Sequence, residues 1–196
     1  MSFQRVGQGE YVRSLIFEFL NPKELCSVSL VSKEWQKDAT SNMLWKNLAS
    51  KRWSNKWTPN VDLKTNNWKR EYVNAEKDAK NDRIKMEQLT KYYWKFKFKS
   101  QGGGTLGTQY VRYMGLSSLS RLHPYYGYLM MHAGYPPLRF KLEECKLPDG
   151  EWKQVVSIHT FPPHFVTREK DWSWKIENVF VVMRCVEDDE VPAKVK

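Results

Sequence analysis

The amino-acid sequence predicts an α+β protein, with helices in its N-terminal part and an antiparallel β domain, a sandwich or a small barrel, after them. Two observations carry this prediction. Apolar residues recur at helical spacing between residues 11 and 53. From Trp94 to Lys99 aromatic residues alternate with lysines, which is typical of a half-buried strand. The predicted domains are a helical module at 1–53, a linker and polar helix at 54–90, a β domain at 91–186 and a disordered tail at 187–196.

The first helix is predicted over residues 11–20, because the apolar residues share one helical face. They are Val12, Leu15, Ile16, Phe19 and Leu20. Asn21 followed by Pro22 ends this helix and begins a second one, since Asn caps well and Pro fits the first helical position. The second helix is expected to run to Lys37 and a third to follow a cap at Ser41 or Asn42, which makes three helices.

The remaining elements follow from turn residues and from changes in periodicity. Residues 56–65 are predicted to be a linker, and residues 67–90 one long polar helix with a narrow apolar seam. Three consecutive glycines from Gly102 predict a turn. The further strand candidates lie around Tyr110–Arg112 and at 138–143, 152–159 and 176–185.

Composition limits the classes of function. The chain has 196 residues and no apolar stretch of the ~20 residues that a membrane helix needs, so no membrane span is expected. The first ten residues lack the apolar core of a signal peptide. Three distant cysteines suggest no disulfide framework. These features favour a cytoplasmic or nuclear location, where thiols stay reduced.

Several motifs between residues 19 and 45 occur in a characteristic order. They are Phe19-Leu20-Asn21-Pro22, Leu25, Val28, Val31-Ser32-Lys33-Glu34-Trp35 and Leu44-Trp45. This order resembles the F-box, although the Leu-Pro pair with which family members usually begin falls on Gln8-Gly9 here. The resemblance implies a non-catalytic substrate-recognition subunit that binds a Skp-family adaptor and, through it, a cullin ubiquitin ligase.

By the same resemblance, the residues that contact the adaptor would be drawn from the apolar positions of the motif. These are Val12, Ile16, Leu20, Pro22, Leu25, Val28, Val31, Trp35, Leu44 and Trp45. Some of them must instead form the internal core, and periodicity alone does not separate the two groups. The alternative is a plain helical bundle in which all of these residues are core.

The β domain is expected to bind the protein substrate of the ligase. Residues 113–137 are rich in Tyr, Gly, Pro and Met and show no clear periodicity, so they form either a recognition surface or a lid over the sheet. The candidate substrate-binding residues are Tyr113, Tyr125, Tyr126, Tyr128 and Tyr135. The domain shows no leucine-rich, WD or kelch repeat.

Two other classes remain open. Residues 54–99 hold 12 Lys and Arg against 6 Asp and Glu, a net charge of +6, which would suit a nucleic acid. On a strand, however, Trp94, Phe96 and Phe98 would share one face and the lysines the other, which does not favour base stacking beside charge. The third class is a small-molecule or lipid-binding barrel, in which these aromatic residues line a cavity.

The sequence predicts no catalytic, cofactor-binding or metal-binding residues. A phosphate-binding P-loop carries Lys directly after its last glycine, but in the stretch Gly102–Gln109 the last glycine is followed by Thr108 and Gln109, so the cationic group is absent. The four histidines and three cysteines show no zinc-binding spacing. No Gly-x-Ser-x-Gly nucleophile elbow occurs.

Overall fold

The structure, a computed structural model, describes residues 8–58, 61–99, 109–115, 125–131, 136–159 and 161–193, with side chains from residue 11 onward. It divides into two compact units. We call Met1–Asp78 the helical unit and Ala79–Lys196 the barrel unit. The predicted glycine turn at Gly102 and the candidate Tyr135 lie outside the described residues.

The helical unit contains five described helices. They are α1 (Gln8–Phe17), α2 (Pro22–Val28), α3 (Lys33–Ala39), α4 (Asn42–Trp53) and α5 (Trp68–Ala79), the last residue of which is the first residue of the barrel unit. The cap at Asn21 is confirmed, since its side-chain oxygen accepts hydrogen bonds from the backbone nitrogens of Lys23 at 2.9 Å and Glu24 at 3.1 Å. The Glu24 carboxylate in turn accepts from the Asn21 backbone nitrogen at 2.7 Å, which completes a capping box.

The prediction of one continuous second helix is wrong. The chain leaves the helix after Val28 and starts α3 at Lys33. The reason is local, because the Ser32 hydroxyl accepts a hydrogen bond from the Trp35 backbone nitrogen at 3.3 Å and so caps a new helix. Residues up to 53 therefore form four described helices in place of the three predicted.

An aromatic cluster holds α4 and α5 together. The Tyr72 ring lies 5.4 Å from the Trp45 ring and stacks on Trp53 at 5.6 Å. The side-chain oxygen of Asn42 at the start of α4 accepts a hydrogen bond from the Trp68 backbone nitrogen at 2.8 Å. Large aromatic side chains bury much apolar area per residue, so a few of them suffice to stabilise this small unit.

The barrel unit starts with one short helix and continues into eight antiparallel strands that close on themselves. The elements are α6 (Met86–Lys91), β1 (Tyr93–Phe98), β2 (Gln109–Gly115), β3 (Tyr126–Met131), β4 (Leu138–Lys146), β5 (Trp152–Ile158), β6 (His164–Arg168), β7 (Trp174–Glu177) and β8 (Val181–Val186). Each strand pairs with the next, and β1 pairs with β8. The fold is thus the small barrel of the two predicted alternatives.

Two strand predictions are corrected by the structure. The predicted strand at 176–185 is two strands, because the Asn178 side-chain oxygen accepts hydrogen bonds from the backbone nitrogens of Phe180 and Val181 and closes a turn. Strands β3 and β6 were not predicted, and β3 includes residues assigned to an irregular aromatic stretch.

The predicted polar helix at 67–90 is interrupted between α5 and α6. The Ile84 backbone nitrogen donates to the Gln154 side-chain oxygen at 2.8 Å, and the Gln154 amide nitrogen donates back to the Ile84 carbonyl at 3.0 Å. This exchange with β5 draws the chain out of the helical conformation. Of the tail predicted to be disordered at 187–196, the described residues 187–193 include a short 3-10 helix at Asp188–Glu190, and Val191 is buried.

The half of the barrel interior near the start of β1 is filled by aromatic side chains. The Tyr113 ring makes edge contacts with Trp94 at 5.7 Å and Phe140 at 4.9 Å. The Trp94 indole nitrogen donates to the carbonyl of Leu89 in α6 at 3.0 Å. The Phe140 ring lies directly against Gly127, where a Cβ atom would come within 2.5 Å of its Cε1 atom.

We therefore expect Gly127→Ala to lower the free energy of unfolding by about 1–3 kcal/mol, the usual range for overpacking a well-filled core. The added methyl group would also come within 2.3 Å of the Met114 carbonyl oxygen, a backbone atom that cannot swing away. Urea unfolding measures the change.

Gly115→Ala is the matched control, because its methyl group would meet only the Thr90 Cγ2 atom, at 3.9 Å. Equal stability of the Gly127→Ala variant and the wild type would contradict the close packing of Phe140 on this glycine.

Candidate functional site

One face of α1 in the helical unit carries apolar side chains that are exposed to solvent. Val12 is 52% exposed, Ile16 49% and Phe19, in the turn after the helix, 88%. Positions i and i+4 lie on one side of a helix, so Val12 and Ile16 adjoin there, and Phe19 adds an exposed apolar side chain just past the end of α1. Leu15, 43% exposed, lies beside them. We call these four residues the α1 face.

The opposite side of α1 packs on α3, which fixes the direction of the α1 face. The Phe17 ring contacts the Trp35 ring edge-on at 5.5 Å. The Arg13 Nε atom donates to the Asp38 carboxylate at 2.8 Å, and Arg13 lies one helical turn before Phe17. Both anchors are on α3, so the α1 face is held away from it.

The turn between α2 and α3 exposes two more apolar side chains. Leu30 is 86% exposed and Val31 65% exposed. The capping of α3 by Ser32 sets this turn, because the chain must leave α2 before the cap forms. Leu30 was missed in the sequence analysis, since it follows no helical stripe and only its place beside the Val-Ser-Lys motif could have indicated it.

The structure separates the ten predicted adaptor-contacting residues into three groups. Three are exposed, namely Val12, Ile16 and Val31. Four are partly buried, namely Leu20, Pro22, Val28 and Trp35. The remaining three, Leu25, Leu44 and Trp45, are buried. The last three belong to the core of the helical unit. The Trp45 indole nitrogen, for example, donates to the Ala39 carbonyl at 2.8 Å. These three residues therefore pack in the core beneath the exposed site and are not part of its surface.

The predicted substrate-binding tyrosines are also divided. Tyr113 is fully buried inside the barrel, where its hydroxyl donates to the Met183 sulfur at 3.4 Å, and burial raises its pKa. The prediction that Tyr113 belongs to a recognition surface is therefore wrong. Tyr125 and Tyr126 are 59% and 41% exposed, and Tyr128 is partly buried on β3.

A cavity of about 460 Å³ lies at the end of the barrel where β1, β3, β5 and β7 finish. Its wall is built from side chains of six strands, and two more of its aromatic residues come from the connecting turns. The lining residues are Phe96, Phe98, Leu129, Met131, Leu138, Ile158, Phe161, Pro162, His164, Asn178, Phe180, Val181 and Met183. Phe96 and Phe98 were predicted to line a cavity, whereas Trp94 is buried in the filled half.

The two polar side chains of this cavity are bonded to each other. The Asn178 amide nitrogen donates to His164 Nε2 at 3.1 Å, and His164 Nδ1 donates to the Val156 carbonyl at 3.3 Å. This pattern defines a neutral imidazole with its proton on Nδ1. Burial lowers the pKa of His164, so the ring stays neutral at physiological pH.

Two observations concern metal binding and thiol reactivity in the described residues. These residues contain no cluster of three or more side chains that could hold a metal ion. Burial raises the pKa of the Cys185 thiol to about 12, so this thiol is protonated at neutral pH and is a poor nucleophile. Within the same residues, no helix is long and apolar enough to cross a bilayer.

The helical unit is thus a small module with an aromatic core and an exposed apolar face. Residues 12–53 match the family model of the F-box-like domain, which confirms the resemblance seen in the sequence. The match does not extend into the barrel unit. A comparison with curated proteins found no match.

The neutral state of His164 predicts a pH dependence of stability. Because burial lowers its pKa in the folded chain, the unfolded chain takes up this proton first as the pH falls through about 6.5. The free energy of unfolding should therefore decrease between pH 7.5 and 5.5, until the pH falls below the pKa of the folded state. Urea unfolding at several pH values, followed by circular dichroism, measures this slope.

His164→Gln should reduce the slope, because no imidazole remains to be protonated at this position. The matched control is His159→Gln, since His159 is exposed beyond the end of β5. An unchanged slope in the His164→Gln variant would mean that other groups cause the acid sensitivity.

Proposed function

We propose that the protein is a non-catalytic substrate-recognition subunit of a Skp–cullin–F-box ubiquitin ligase. In this proposal the helical unit binds a Skp-family adaptor through the α1 face and the turn at Leu30 and Val31. The barrel unit binds the target protein. The role would place the protein in the cytoplasm or the nucleus.

The observation that supports adaptor binding best is the α1 face within an F-box-like domain. Water contact with apolar surface is unfavourable by roughly 25 cal/mol per Å², and adjoining exposed apolar residues usually mark an interaction site. The buried cluster around Trp45 and Tyr72 lets the module keep its shape while this face stays open. Covering the face with an apolar partner surface would therefore release free energy without rearranging the core.

This module lacks the Leu-Pro pair with which F-box family members usually begin, but it exposes other apolar side chains. The positions of that pair fall on Gln8 and Gly9, at the start of α1. Phe19 and Leu30, the two most exposed apolar residues described in the helical unit, supply apolar area elsewhere on the module. We propose that these two residues contribute to the adaptor interface in place of that pair.

For target binding, the support is the exposed aromatic surface of the barrel unit. Tyr126 is the first residue of β3 and Tyr125 directly precedes it, and both side chains are exposed. The Lys141 ammonium group lies 5.9 Å from the centre of the Tyr126 ring and forms an ion pair with the Glu143 carboxylate at 2.6 Å. Aromatic residues such as tyrosine are enriched in protein interfaces.

The decisive experiment replaces one residue of the α1 face. Ile16→Asp should weaken binding to a purified Skp-family adaptor by about 30-fold or more, since burying an unpaired carboxylate at an interface centre costs about 2 kcal/mol or more. Isothermal titration calorimetry with the full chain measures the affinity. The variant should unfold at the wild-type temperature, because Ile16 is already half exposed.

Leu63→Asp is the matched control, because Leu63 is 75% exposed, lies outside α1–α4 and undergoes the same change of charge. Leu25→Asp would be uninformative, since Leu25 is 1% exposed and its loss would disturb the core. The proposal fails if Ile16→Asp binds the adaptor like the wild type, or if Leu63→Asp loses as much affinity.

A further inference from the structure

The barrel interior is filled in one half and hollow in the other. Tyr113 packs against both Trp94 and Phe140 in the filled half. In the other half the inward side chains leave the cavity of about 460 Å³ described above. An eight-stranded barrel is just wide enough either to be filled by side chains or to hold one small ligand, and this barrel divides its length between the two arrangements.

We propose that this cavity is a binding site for a small molecule with a single hydrocarbon chain, such as a fatty acyl chain. The inference does not rest on the proposed role in a ubiquitin ligase. The cavity volume falls within the roughly 300–1,000 Å³ of small-molecule sites. The buried part of the ligand is uncharged, and its polar group stays at the mouth in contact with water.

The chemistry of the wall selects an uncharged chain. No charged side chain of the described residues lines the cavity. Its two polar side chains are already satisfied, since the Asn178 amide bonds to His164 and to the Pro162 carbonyl at 3.2 Å. A buried charge without a partner is strongly unfavourable, so a ligand that brings one into the cavity would be rejected.

The mouth of the cavity favours a small molecule over an extended peptide. The strand ladder is closed from β1 to β8, so the eight described strands offer no free edge beside the cavity for strand addition. Three aromatic residues at the mouth, Phe98, Phe161 and Phe180, are 46%, 51% and 59% exposed. They provide apolar surface that would cover the outer part of a bound chain.

Calorimetric titration of the full chain with 1-decanol and with decanoate tests the proposal. Both probes should bind with one-to-one stoichiometry and with a negative heat-capacity change, the marker of apolar burial. Leu138→Trp should weaken both at least tenfold, because Leu138 lines the cavity opposite Leu129 and a larger side chain would fill it. Phe180→Ser, at the exposed rim, should weaken both without affecting folding.

The matched control is Met114→Trp, the same kind of enlargement at a half-exposed position of β2 outside the cavity. It should bind like the wild type. Absence of binding, or equal binding by the Leu138→Trp variant, would overturn the proposal. Loss of binding in the Ile16→Asp variant would also overturn it, because the probe would then occupy the α1 face.

A competition experiment tests whether the cavity holds a free lipophilic molecule or a side chain of a partner protein. A short peptide with a central Leu-Trp pair is added to the decanol complex. No displacement is expected, whereas full displacement by the peptide would assign the cavity to a segment of a partner protein and overturn the small-molecule proposal. Adaptor binding is measured with other variants, so the two proposals can fail separately.

Discussion

The pairing of β1 with β8 sets the form of the barrel unit. Six residue pairs join the strands, from Tyr93 opposite Val186 to Phe98 opposite Val181. Because this ladder unites the first and the last strand, all eight strands have two neighbours and the backbone donors and acceptors of an open edge are avoided. Closure also fixes the interior diameter, so the side chains that point inward must either fill the space or leave a cavity.

Both arrangements occur along a single strand. Trp94 on β1 points into the filled half, and Phe96, two residues later, lines the cavity. On β3, Gly127 leaves room for the Phe140 ring and Leu129 faces the cavity. The aromatic rings of the filled half pack closely, and the cavity occupies the other half of the same closed ladder. The helical unit likewise combines a packed core with apolar surface that no described residue covers, namely the α1 face.

A strand could be predicted from the sequence only where its outward-facing residues are more polar than its inward-facing ones. Strand β1 was recognised because lysines alternate with its aromatic residues. Strand β3 was missed because its outward residues, Tyr126, Tyr128 and Met130, are as apolar as its inward ones, so no period of two appears. The division at Asn178 was missed because a side-chain hydrogen bond closes that turn without Gly or Pro.

For the candidate site, periodicity located the helices. It did not show which apolar face of each helix packs in the core and which is exposed, and so the buried Leu25 was grouped with exposed residues.

The closed ladder has a consequence for the chain while it is being made. On the ribosome, β1 emerges first and β8 last of the eight strands, and β1 has only one neighbour until β8 arrives. A chain interrupted before Val181 would therefore expose two strand edges and an unsealed aromatic interior, both of which promote aggregation. A nascent or truncated barrel of this kind would depend on chaperones or be degraded, so a nonsense or frameshift mutation before the codon of Val181 should lower the amount of protein in a cell.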